Sequence, residues 1–145
     1  MKRLLASALA ALTLASPALA QEGPERLVTI LTAPEPQTQL MAMVLSMQAA
    51  QQGVPPHILL CGPAGDLALT DAPESATAGQ PPRDMSPQGL MQAIMQQDGA
   101  RVEVCAIYLP GRGEGPEVLI DGVGVAEPGA MAGAIIAPDA RVMSF

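Results

Sequence analysis

Aromatic residues are almost missing from this chain: 145 residues include no Trp, one Tyr and one Phe. With so few rings, no base-stacking platform for single-stranded nucleic acid can be built. The core must come from Val, Leu, Ile, Ala and Met. Lysine is equally scarce: Lys2 stands alone, and beyond Arg3 only five Arg face 14 acidic residues. An acidic surface repels phosphate backbones and anionic bilayers, so neither nucleic acid nor a membrane surface is an expected partner. Cysteine is limited to Cys61 and Cys105, and histidine to His57. Two cysteines are too few for a disulfide scaffold. Without a CxxC or a Cys/His cluster, the ligands for a zinc site are not there. Gly62-Pro63-Ala64-Gly65 lacks the Lys and the spacing of a phosphate cradle, and no GxGxxG occurs. No cofactor and no metal are expected.

What is present begins with an export signal. Lys2 and Arg3 form a positive end, and Leu4 to Leu14 is an apolar stretch too short to span a bilayer. Ala18-Leu19-Ala20 is a small-x-small cleavage pattern. Residues 1–20 read as a signal peptide, with Gln21 the first mature residue and a periplasmic or secreted destination. Residues 21–145 then form one domain, large enough for a single core. Losing Lys2 and Arg3 takes the formal charge from −7 to −9. No later run is long or apolar enough to cross a membrane.

Along the domain, apolar β-branched runs alternate with helical periodicity. Arg26 to Thr32 reads as the first strand. A helix follows from Pro36 or Gln37 to about Gln52, stopped by Gly53. Its apolar residues Leu40, Met43, Val44, Met47 and Ala50 keep helical spacing, and Met41 and Leu45 widen the stripe. Two covered sides are expected, one on the sheet and one on a partner subunit. His57 to Cys61 is the second strand, and Asp66 to Leu69 is one helical turn. Thr70 to Asp84 has no periodicity and reads as a long loop, either a functional lid or a disordered segment. Ser86-Pro87 is an N-cap and first-turn Pro opening a helix to about Gln97. Val102 to Leu109 reads as a buried central strand ending in a Pro/Gly turn. Pro116 to Ile120 is a short helical piece. A strand at Val123 to Ala126, a helix from Pro128 to Ala137 and a strand at Ala140 to Phe145 complete the pattern. Such alternation predicts an α/β fold with a parallel sheet and helices on both faces.

In open α/β sheets, chemistry gathers at the carboxyl ends of strands. Cys105 is therefore the first candidate, either as a reactive thiolate or as a small buried hydrophobe. Cys61 ends its strand against a Gly-Pro turn and is expected to be more exposed. His57 lies at the amino end of its strand, away from that edge. Asp66 and Asp71 flank the loop near Cys61, and either bind a ligand or face water. Past the signal the chain carries eight Met, and Met-rich exported proteins can hold copper through thioethers. Most sit at core spacing on helices, which points to packing.

The order Thr-Ile-Leu-Thr (29–32), Leu-Leu-Cys-Gly-Pro-Ala-Gly-Asp-Leu-Ala-Leu (59–69), Val-Glu-Val-Cys (102–105) and Val-Leu-Ile-Asp-Gly-Val-Gly-Val-Ala (118–126) resembles the DsrE-like sulfur-relay family over nearly all of residues 21–145. The resemblance implies a three-layer α/β/α sandwich on a five-stranded, mostly parallel sheet. It implies a homo-oligomer, trimer or hexamer, and a sulfur donor or acceptor protein as partner. Cys105 matches the cysteine that carries sulfur as a persulfide. The competing readings are a non-enzymatic oligomeric binding module with structural cysteines, and a soft-metal binder. Strand order separates two cases for the cysteine pair. Order 2-1-3-4-5 would hold the backbones about 10 Å apart, beyond the about 7 Å reach of a disulfide. The order implied by the resemblance, 4-3-2-1-5, makes the two strands neighbours, so that Cys61 and Cys105 share a site or a reversible disulfide.

Overall fold

The computed structural model describes residues 23–145, so the signal peptide expected at residues 1–20 lies outside the described residues. Five strands form one sheet: β1 (Arg26–Leu31), β2 (Pro56–Leu60), β3 (Arg101–Cys105), β4 (Gly124–Ala126) and β5 (Ala140–Ser144). Every pairing is parallel, and the order is β4-β3-β2-β1-β5. The helices are α1 (Pro36–Gln51), α2 (Glu74–Thr77), α3 (Pro87–Ile94), α4 (Tyr108–Arg112) and α5 (Pro128–Ile136). They make a three-layer α/β/α sandwich.

Side-chain alternation divides the sheet into two faces. Leu31, Ile58, Leu60, Val102 and Val104 face α1 and α3, where Met43, Met91 and Ile94 complete the larger core. Val28 and Leu59 face the other way and meet Met131, Ala134 and Ile135 of α5. Thr29 is buried on the α1 side. Ser46 of α1 donates to Ala42 O at 2.8 Å, so Thr29 must donate the 2.9 Å bond between the two hydroxyls. The α5 layer is thin. No residue of α5 is fully buried, and Ile136 is 78% exposed.

Several expected boundaries shift. The central strand does not run to Leu109. It ends at Cys105, and Tyr108–Arg112 turns into α4, which buries Tyr108 and Leu109 against the larger core. Pro110 is tolerated because the first N–H groups of a helix have no intrahelical partner. Gly113, at φ 70°, closes the helix in the left-handed region. The second strand stops at Leu60, one residue before Cys61. Ser86 caps α3 as expected, accepting from Gly89 N at 3.0 Å, but the helix ends at Ile94. The expected loop 70–84 contains α2 and then a turn whose Gln80 N donates to Met85 O. On α1, Met41 is 52% exposed, so its outer side is not covered within one chain.

Candidate functional site

Strands β2 and β3 run side by side with Leu60 opposite Val104. One more step of that register sets Cys61 opposite Cys105. The two Cα atoms are 5.1 Å apart, and the cysteines are joined in a disulfide. Both sit at the carboxyl edge, on the sheet face that also carries Leu59. Backbone contacts fix the level: Cys61 N donates to Leu31 O of β1 at 2.9 Å, and Ala106 N donates to Ala126 O of β4 at 3.1 Å. The disulfide therefore bridges two strands held in place by both outer neighbours.

The two cysteines are not equivalent. Cys105 is 5% exposed, whereas Cys61 is half-buried, as expected for a strand end meeting a Gly-Pro turn. Beyond Cys105, Ile107 stands 80% exposed beside the bridge.

A second lock lies just past the disulfide. The 3-10 segment Gly62–Ala68 follows Cys61, and α4 follows Cys105. Tyr108 OH donates to Asp66 Oδ1 at 2.6 Å, joining these two connections. Arg112 reaches the same oxygen at 3.3 Å, stacks 5.5 Å above the Tyr108 ring, and donates from Nε to Glu114 at 2.6 Å. A Cβ at Gly65 would collide with the Tyr108 ring, so glycine is what lets the ring lie down there. Burial first, and then the bond to the Asp66 carboxylate, push the Tyr108 hydroxyl well above its ordinary value of 10. The Glu114 carboxylate, first, raises Arg112. Asp66 is thus committed to holding the edge together, while Asp71 is exposed. Sequence reasoning passed over Tyr108 as a strand residue. Its being the single Tyr in an aromatic-poor chain was the available signal.

His57 lies at the far end of β2, opposite Arg101. Four residues of strand place it about 13 Å from Cys61, too far to act as its base. It meets Glu103, which is 3% exposed, at 2.6 Å, and Arg101 binds the other carboxylate oxygen. Both oxygens of this buried carboxylate are therefore satisfied. Met43 and Met91 are fully buried, and Met47, Met85 and Met95 pack against the same core. Among the described residues, no group of three or more His, Cys, Asp or Glu is arranged to hold a metal ion. No helix among them is long and apolar enough to cross a membrane.

No protein-family model matches the chain, and no curated protein matches it. Solved structures do. The chain is similar to MTH1491 from Methanobacterium thermoautotrophicum, a protein of unknown function, with a TM-score of 0.59, 13% identity, and 83% of this chain and 98% of that one covered. It is similar to YchN from E. coli, with a TM-score of 0.60, 20% identity, and 83% and 99% covered. The chain shares the fold of these two proteins, which belong to the DsrE/DsrF-like fold family. At these identities the likeness carries the fold alone, and the strand order 4-3-2-1-5 is this chain's own. What the site does has to be argued from the two cysteines.

Proposed function

We propose that this is an exported protein of DsrE/DsrF-like fold that exchanges thiols and carries sulfane sulfur through the Cys61–Cys105 pair. The observation supporting the reading is a disulfide at the carboxyl edge of two adjacent parallel strands, with one half-buried and one buried cysteine. An incoming thiolate attacks the sulfur of Cys61, the accessible partner. A mixed disulfide forms there, and Cys105 leaves as the thiolate with the bonding electron pair. A second thiolate releases the mixed disulfide and leaves the reduced dithiol. The Cys105 thiolate then takes a terminal sulfur from a polysulfide or persulfide donor, whose remainder departs as the shortened polysulfide or as a thiolate respectively. Cys61 resolves the resulting persulfide by attacking the Cys105 sulfur. Hydrosulfide leaves, and the disulfide is restored. The working form is a homo-oligomer, a trimer or hexamer, in the periplasm or outside the cell, with a sulfur donor or acceptor protein as partner. N-terminal sequencing of protein recovered from the cell envelope should begin at Gln21.

The test is intact mass after reduction and incubation with inorganic polysulfide. Cys61→Ser, which cannot resolve, should retain one added sulfur. Cys105→Ser should gain none. The reduced wild type should release sulfide and re-form its disulfide. An increment on Cys105→Ser alone would move the carrier to Cys61, and no increment on any form would remove sulfur carriage.

The burial of Cys105 supports a second reading, a non-enzymatic oligomeric module in which the disulfide is structural. In that case the bond resists a glutathione couple that reduces a working disulfide. Thiol titration across glutathione redox buffers separates the two readings.

A further inference from the structure

A groove of about 740 Å³ opens on the larger-core side of the sheet, on the outer face of α1. The disulfide belongs to the opposite face, so the groove has no part in the sulfur site. Its floor is the half-buried row Leu40, Val44 and Met47 on α1, with Met41 at the rim. The far wall is the turn from Gln80 to Met85, pinned by its own backbone bond. Gln37 and Gln51 mark its ends along the helix, roughly 21 Å apart at the helical rise. That volume falls among small-molecule sites rather than flat protein interfaces. The length is what an extended alkyl chain spans. Three of the wall residues are methionines, whose flexible thioethers shape themselves to an apolar guest.

Charge then selects the guest. In a chain whose acids outnumber its bases by 14 to 7, no Asp or Glu lines this groove. Arg83 is its one charged residue, and among the described residues Arg83 takes part in no ion pair. An anionic head is repelled by most of this surface and accepted here. We propose that the groove binds a single-chain anionic amphiphile, a long-chain carboxylate, with its alkyl chain along α1 and its carboxylate on Arg83.

The mature protein, labelled with ¹³C at its methionine methyl groups, is titrated with dodecanoate below its micellar concentration. The Met41, Met47 and Met85 signals should shift saturably, at one ligand per chain, while the Met131 signal under α5 stays in place. Dodecyltrimethylammonium, of equal chain length, should bind at least about threefold more weakly, although the net negative protein attracts it in general. Arg83→Gln should weaken dodecanoate by at least about threefold. Met41→Glu, at an exposed position, should weaken it by roughly tenfold, because it sets a like charge in the groove. Equal affinity for the cation, or no change in Arg83→Gln, overturns the proposal. So does the absence of saturable shifts. Shifts that follow protein concentration without ligand would give the groove to a second copy of the chain, which overturns it as well.

Discussion

At the scale of residues, the carboxyl edge is held by one covalent and one polar lock, and the two respond to different reagents. Tyr108 is the only tyrosine, so tyrosinate absorbance reads this hydroxyl alone. Its value in the fold lies above the ordinary 10, first because burial disfavours the anion and then because Asp66 accepts its proton in a hydrogen bond. The folded state therefore holds this proton more tightly than the unfolded one. Its contribution to stability is full below pH of about 10 and is lost as pH climbs beyond that. Tyrosinate should form only well above pH 10, together with loss of structure. Tyr108→Phe should flatten the alkaline fall in melting temperature. A Tyr108 titration at its ordinary value in the intact fold would contradict the lock. The disulfide responds to reductant instead. It spans a sequence separation of 44, for which chain entropy alone predicts about 4 kcal/mol of stabilisation. Denaturant unfolding with and without reductant should differ by up to that amount. No difference would mean that the strand ladder alone fixes the edge.

At the scale of elements, helix starts carry local chemistry that can be removed one group at a time. Ser86 Oγ satisfies Gly89 N at the head of α3. Ser86→Ala should cost about 1 kcal/mol and lower the melting temperature by about 4 °C, with Met91 and Ile94 still packed. An unchanged melting temperature would show that α3 is held by its buried face alone. The same cap was readable in the sequence, as were α1 from its spacing, β1 from its β-branched run and β5 from the alternation of strands with helices. The segment Ala106 to Leu109 was not. An apolar run of four residues beside a strand has no period of its own, and a buried helix turn satisfies the same pattern. The register between β3 and β4 ends with Cys105 opposite Ala126, and α4 then buries Tyr108 and Leu109. Likewise α2 is a single turn of Glu74–Thr77, too short for any periodicity to mark it. The site followed the same division. Cys61 and Cys105 were candidates from their strand ends. Their pairing needed the strand order, which residues alone left open between 2-1-3-4-5 and 4-3-2-1-5. The partner of Asp66 needed the helix that the sequence hid.

At the scale of the whole molecule, the two outer layers are unequal, and this bears on assembly. The α1/α3 layer covers a continuous core, whereas α5 lies on the small cluster of Val28, Leu59 and Ala126 and buries none of its own residues fully. Its sequence from Pro128 to Ile136 contains no polar side chain, so its outer surface is apolar without a covering layer. Gly129 and Gly133 are one turn apart, with open space where a Cβ would stand, and the edge strand β5 adds the exposed Val142. Large contiguous apolar patches are uncommon on monomers. A second copy packed on α5 would bury Ile136 and bring a backbone close along the glycines. Opposing this is a formal charge of −9 on residues 21–145, which drives copies apart at low ionic strength. Self-association at micromolar concentration should therefore strengthen as salt rises from about 0.01 M to 0.15 M, where the screening length falls from about 30 Å to about 8 Å. Ile136→Glu should shift the population toward monomer, because it places a carboxylate on the apolar surface. Met41→Glu, on α1, should leave the assembly as it is. Sedimentation velocity on the three proteins at two salt concentrations reads all of this. A wild type that stays monomeric at high salt, or an Ile136→Glu protein that assembles as the wild type does, would take α5 out of the interface and leave the thin layer as a feature of the single chain.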